Sequence, residues 1–502
     1  MSHRVRDSNK PASIDKSDYE TEENFPRWTA AACVWFGALA GGMGWGIRGQ
    51  YGHETGAMIA GVLVGFTLVL LLVRRQSSLF AARAAAMLAL GIGLGGSMTY
   101  GQTIGLTHDQ RLVGNTSSLV WGLLGLFIKG GLWVGCGATM FGMALGGRKY
   151  RPLELLLLML GLIGLFVIGV WLLNGPYQPA ERILPRLYFS ADWRWQPDVE
   201  DLKPRREYWG GFLVALIGLA VYARVVQGDR LARNMAVIGF IAGGLGFSGG
   251  QCIQASHAWH PELYRQGWFA AYEPYINWWN MMETTFGLIW GAGVGAGLWW
   301  NRRLIARGTF TRVPLAPWFE VVSALAFVVL VVMAEFSDNP YWEWFTEYSF
   351  VLAIVPIIGI MGGRIWPFLF PLPLVAVTIV GKTLREMSYA HTEIPPVIGW
   401  LLLIALPLSI VTGVAVWMIR ASDRESLRAT SYAKTGLLLN VWLYFGLNFV
   451  FFRYPLPWMD WTGRTPSGLI FFFCSIVLTA GAFFLGTTRR RDLRRDLHRH
   501  AA

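Results

Sequence analysis

Charge is what this chain has least of. Asp, Glu, Lys and Arg make up 15% of its 502 residues, against 54% apolar residues, and the mean hydropathy is +0.41. That balance excludes an ordinary soluble domain, which needs far more polar surface. Cysteine is scarce as well. Cys33, Cys136, Cys252 and Cys474 are scattered, three of them inside apolar runs, so neither a disulfide framework nor a thiolate metal site is indicated. Catalytic signatures are missing: there is no G-x-S-x-G, no Walker loop and no H-E-x-x-H, and His53-Glu54 runs into Thr55-Gly56-Ala57 without a second histidine. No cofactor is implied. The net charge of +12 sits mainly in short loops and in Arg489-Arg490-Arg491, where it acts as a topology signal and attracts anionic lipid. Nucleic acid is therefore not an expected partner, whereas the lipid bilayer is.

What the chain has in abundance is long hydrophobic runs. Runs able to cross a bilayer as helices begin near Trp28, Thr55, Phe80, Ser117, Leu153, Tyr208, Leu231, Trp278, Leu315, Ser349, Phe368, Ile394, Thr435 and Ser467, which makes about fourteen spans. The two runs in 349–381 are short and interrupted by Pro356, Pro367, Pro371 and Pro373, so two spans and one re-entrant pair both fit. The expected fold is an all-α polytopic membrane protein, one bundle built from repeated helical hairpins. Residues 1–26 read as a disordered cytoplasmic arm and 27–486 as the bundle. Within it, a first repeat half covers about 27–174, a loop 175–206, and a second half about 207–486; 487–502 form a basic tail. Basic loops stay on the cytoplasmic side, which puts both termini inside and 175–206 outside in a cell (inner) membrane. That loop holds six Lys and Arg, nearly balanced by five Asp and Glu.

Glycine is plentiful, with 59 residues, and its placement repeats. Gly37-Ala38-Leu39-Ala40-Gly41-Gly42-Met43-Gly44-Trp45 matches Gly239-Phe240-Ile241-Ala242-Gly243-Gly244-Leu245-Gly246-Phe247, each closing an apolar run. The match continues into the return helices, through Glu54-Thr55, Gly61 and Gly65 in one and Glu283-Thr284, Gly291 and Gly295 in the other. A weaker third copy runs from Gly95-Gly96 to Gly101-Gln102, then Asn115-Thr116 and Gly122. Paired glycine-interrupted helices in corresponding parts of a membrane protein point to its binding site. All three copies begin on odd-numbered helices, so the expected symmetry is parallel, about the membrane normal. Asn115, Glu54 and Glu283 at the starts of return helices also have a plain reading as helix caps.

The polar residues cluster on the expected outer face. The first loop there carries Arg48, Gln50, His53 and Glu54 among four glycines, a cation, an amide, an imidazole and a carboxylate in one short stretch. Later loops hold Gln102, His108 and Asp109, then Gln251, His257, His260 and Glu262. His108-Asp109 could tune an imidazole. His257-x-x-His260 lacks a third ligand at a defined spacing, so no metal is assigned. Tryptophan and tyrosine crowd the same face; an interfacial belt explains them, and stretches such as Asp192-Trp193-Arg194-Trp195 would also suit a saccharide ring. Within the spans, Lys129 is the ionisable residue nearest the middle of a helix, and Glu283 is its expected partner.

These residues suggest a transporter or flippase for a polar solute, anionic and saccharide-containing compounds being the candidates. Arg48, Gln50, His53, Glu54, Gln102, His108, Asp109, Gln251, His257, His260 and Glu283 would bind it, with Lys129 and Glu283 as the intramembrane charges. The alternative is a transferase or hydrolase working at the outer face on a lipid-linked or periplasmic substrate. It accounts for the concentration of His, Asp, Glu and Trp outside, with His53 or His108 as general acid or base.

Overall fold

The computed structural model describes residues 25–500 apart from 27, 50, 53, 54, 75, 99, 308–311, 338, 340–348 and 454–457, with the backbone alone at 97, 334–336, 349–352 and 485–500. Its elements are helices: α1 Trp28–Arg48, α2 Thr55–Leu72, α3 Ser78–Leu94, α4 Gly101–His108, α5 Thr116–Leu145, α6 Pro152–Leu173, α7 Trp209–Val221 and α8 Arg230–Trp259. Then follow α9 Trp278–Trp300, α10 Pro317–Phe336, α11 Ser349–Gly362, α12 Trp366–Ala390, α13 Pro396–Asp423, α14 Ala429–Phe451 and α15 Thr465–His500. Among the described residues nine helices are long and apolar enough to cross a membrane. The chain is a multi-pass all-α membrane protein. A helix begins at or within a few residues of every apolar run read from the sequence, and length and composition support crossing for nine of those described, against the roughly fourteen spans expected. In the proline-rich region α11 is short, with Pro356 inside it, while α12 runs 25 residues through Pro367, Pro371 and Pro373 by widening into π-helical turns.

The helix starts follow local chemistry. Ser77, Asn115, Asp229 and Asn277 each accept a backbone N–H from three residues on, capping α3, α5, α8 and α9. The cap reading of Asn115 is thus observed, whereas Glu283 lies more than a turn inside α9.

Six helices form a closed ring. Going round, α1 packs on α2, α2 on α3, α3 on α5, α5 on α8, α8 on α9, and α9 returns to α1. Glycine makes two of these contacts possible. A Cβ on Gly41 would lie 2.3 Å from the carbonyl oxygen of Gly287, and one on Gly243 2.1 Å from that of Gly130, so backbone meets backbone between α1 and α9 and between α8 and α5. The middle of the ring is filled by rings of another kind: Trp45 stands edge-on to Trp133 at 4.9 Å and to Phe286 at 4.5 Å, and Phe247 stacks on Phe286 at 4.7 Å. Around the ring lies a second layer. α6 and α13 turn apolar side chains such as Leu157, Val167, Leu401 and Leu406 outward, as lipid-facing helices do, while α2, equally apolar, is buried in the bundle.

Candidate functional site

The glycine contacts between α1 and α9 bring the last residue of α1 against the second turn of α9. There Arg48 Nη2 donates to Glu283 Oε1 at 2.9 Å, and both residues are buried. Gly49 follows because nothing larger fits: a Cβ there would stand 2.5 Å from Glu283 Oε2. Arg48 also donates to the Tyr100 hydroxyl at 2.9 Å, and its guanidinium lies 4.8 Å from the Trp45 ring and 5.4 Å from that of Trp133. Aromatic faces beside a delocalised cation supply attraction that a hydrocarbon wall would not.

A second ion pair lies close by in the fold. Lys129 Nζ donates to Glu207 Oε1 at 2.6 Å and to Thr103 Oγ1 at 2.7 Å, with both charged residues at or below 1% exposure. The sequence named Glu283 as the partner of Lys129, and the structure overturns this: Glu283 faces Arg48, and Lys129 takes Glu207. Glu207 arrives because the segment before α7 folds inward, its carboxylate also receiving the Phe189 amide at 3.0 Å and the Ser190 hydroxyl at 2.9 Å. Sequence reasoning missed it. Its one signal was its place, the last charge before an apolar run, and it was hidden beside Arg205-Arg206.

Both pairs touch one short stretch, Tyr100 to Thr103, at the start of α4. One turn later Thr107 Oγ1 accepts from Gln251 Nε2 at 2.7 Å, and the Thr107 carbonyl accepts from Trp259 Nε1 at 2.9 Å. Gln251 is fully buried, and its Oε1 has no hydrogen-bond partner. Asn280 extends the polar centre, donating to the Gly46 carbonyl at 2.7 Å. Arg48, Glu283, Lys129 and Gln251 are thus gathered around α4.

The remaining candidates lie further out. Gln102 is a clamp: it donates to the Lys203 carbonyl and accepts the Arg205 amide, which ties 203–205 to α4. His108 sits 3.0 Å from the Ile104 carbonyl and 3.9 Å from Asp109 Oδ1, beyond hydrogen-bond reach of that carboxylate. His257 Nε2 meets Glu273 Oε1 at 2.9 Å with its ring stacked on Trp278 at 4.2 Å, while His260 faces Glu262 at 3.5 Å on the surface. The two histidines of H-x-x-H therefore serve different carboxylates. Asp192 and Arg194 pair with each other at 2.8 Å. In the same 175–208 segment burial and the nearby Glu207 push the Tyr188 hydroxyl well above its usual range.

Gln50, His53 and Glu54 lie outside the described residues. What holds their loop is described: Lys382 of α12 donates to the Tyr51 carbonyl at 3.0 Å, the Tyr51 ring is buried, and Gly52 takes a φ of 91°. Among the described residues no three His, Cys, Asp or Glu gather as metal ligands. No family model, curated protein or solved structure matches this chain.

Proposed function

We propose that this protein is a transporter or flippase for a polar, anionic solute, and that Arg48 is the group the solute engages. The observation that carries this reading is the Arg48–Glu283 pair, buried among aromatic rings with a second buried pair alongside it. Charges inside a membrane bundle are costly, and they mark solute or ion pathways far more often than structural staples. In the proposed cycle a carboxylate or phosphate of the solute takes the place of Glu283 on the guanidinium, and Glu283 accepts a proton as it is displaced. Charge inside the bundle stays balanced, and solute and proton move together.

The ring suits such movement. In chain order the ring divides into three hairpins, α1 with α2, α3 with α5, and α8 with α9. We read these as three parallel copies of one unit about the membrane normal, as the glycine motifs suggest, with the glycine-lined seams as the surfaces on which one unit shifts against another. We further propose that the bundle sits in the cell (inner) membrane with both termini cytoplasmic, so that 175–208 and 260–277 face outward.

The test is reconstitution in proteoliposomes loaded with a pH dye and offered a panel of carboxylates and phosphate esters. The reading requires that at least one anion drives proton movement, and that Glu283→Gln uncouples it. The alternative, a transferase or hydrolase at the outer face, draws on the His257–Glu273 pair stacked on Trp278, an arrangement that can hold a general base. Turnover of a lipid-linked substrate lost in His257→Ala, with no anion flux, would replace transport by that reading.

A further inference from the structure

A cavity lined by cations lies at the opposite end of the bundle. Its walls come from the start of α3, the turn between α5 and α6, and the segment leading into α10, all remote from the end of α1 and the start of α9 where Arg48 and Glu283 meet. It has a volume of about 360 Å³, and five cations line it: Arg83, Arg148, Lys149, Arg151 and Arg312. No Asp or Glu is among its lining residues, and Phe80 and Met361 give it an apolar side.

Topology alone accounts for basic residues in a loop on this side, but not for Arg83. That residue is 9% exposed at the floor of the cavity, held by the carbonyls of Arg312 at 2.8 Å and Gly363 at 2.9 Å, and its Nε is buried without a hydrogen-bond partner. Its direct hydrogen bonds thus go to neutral carbonyls alone, with Glu320 acting on it only through space, and the guanidinium keeps capacity for an anion in direct contact. Two carboxylates act on these cations through space, Glu320 on Arg83 and Asp229 on Arg148, but their hydrogen bonds go to other groups: Glu320 accepts the amides of Arg364, Ile365 and Trp366, and Asp229 the Tyr150 hydroxyl and the Ala232 amide.

We propose that this cavity binds a phosphate ester, with Arg83 at its base and Arg148, Lys149, Arg151 and Arg312 around its rim. Phosphate matches the forked donors of arginine, and one apolar wall suits the carbon skeleton that carries it. Two sources supply that chemistry at a membrane surface: the headgroup of an anionic phospholipid, and a soluble phosphorylated compound. The site is independent of the transport reading.

The experiment uses the full-length protein in detergent and titration calorimetry with three probes: short-chain phosphatidylglycerol, short-chain phosphatidylcholine and inorganic pyrophosphate. Arg151→Gln/Arg312→Gln is the chief variant, since both side chains are exposed and the substitution at Arg151 keeps the backbone N–H that Glu154 accepts at the start of α6. Arg83→Lys, which keeps the charge but loses the fork, is the second. Saturable binding of phosphatidylglycerol or pyrophosphate, weakened about tenfold or more in the double variant, supports the proposal. Preference for phosphatidylglycerol assigns the site to a lipid headgroup, and preference for pyrophosphate to a soluble ester. Saturation by neither, equal binding of phosphatidylcholine and phosphatidylglycerol, or unchanged affinity in the double variant overturns it.

Discussion

Arg48 and Glu283 stand 235 residues apart in sequence and 2.9 Å apart in space, at the meeting of α1 and α9. Breaking a buried pair leaves one charge without compensation, at a cost of about 3–5 kcal/mol, while removing both partners is far milder. Glu283→Gln and Arg48→Gln are each expected to lower unfolding stability by roughly that amount. The double variant should recover much of it. Denaturant unfolding of the four proteins in a mutant cycle reads the coupling directly; additive losses would mean that the two residues do not sense each other.

Lys129 and Glu207 make a different prediction, because Glu207 also holds the Phe189 amide and the Ser190 hydroxyl. Glu207→Gln should loosen the segment between α6 and α7 before it affects the bundle. Limited trypsin digestion should then cut at Arg182 and Arg186 faster than in the wild type. Equal cleavage rates would show that the segment is held by other contacts.

How far the sequence foretold this site depends on which physical signal each residue leaves. Hydropathy runs over many residues, so the starts of α1 to α15 other than the short α4 were legible, and so were the individual charges Arg48, Lys129 and Glu283. Pairing was not. Helical periodicity says which face of a helix is apolar but not which helix lies opposite, and nothing local shows that α1 meets α9. The glycine motifs hold that information in another form, since Gly37 and Gly41 meet Gly291 and Gly287, but a repeated motif does not by itself say which copies mate. Glu207 was concealed by position, one residue past the 175–206 loop whose charges were weighed, although its carboxylate is buried. Gln102 and His257 were picked for their chemistry, but backbone carbonyls, amides and a neighbouring carboxylate engage them first.

The seam between α1 and α9 gives a packing prediction. Gly41→Ala places a methyl 2.3 Å from the Gly287 carbonyl oxygen, a distance no rotamer can relieve, so the helices must separate. A loss of about 1–3 kcal/mol is expected from such overpacking. Gly446→Ala in α14, where nothing lies within 4 Å of the added carbon, is the control and should be neutral or slightly stabilising. Equal thermal stabilities for the two variants would refute close backbone contact at Gly41.

The last prediction concerns Asp229, at the cap of α8 and outside the spans. Burial pushes its carboxyl up from an ordinary 3.8, and the Ala232 amide, the Tyr150 hydroxyl and Arg148 pull against that rise without cancelling it. The sign follows from proton counting. With a raised value in the folded state, the unfolded chain releases its proton first as pH increases, so the folded form binds more protons and stability falls with rising pH. Asp229 therefore contributes no penalty below the unfolded value near 3.8 and a growing one as pH passes through the folded value. Asp229→Asn keeps an oxygen for the Ala232 amide and carries no charge, so it should unfold like the wild type in acid and outlast it at neutral pH. Thermal unfolding of both proteins across that range measures the difference, and a gap that stays constant with pH, or that closes as pH rises, would mean that burial does not dominate at this carboxylate.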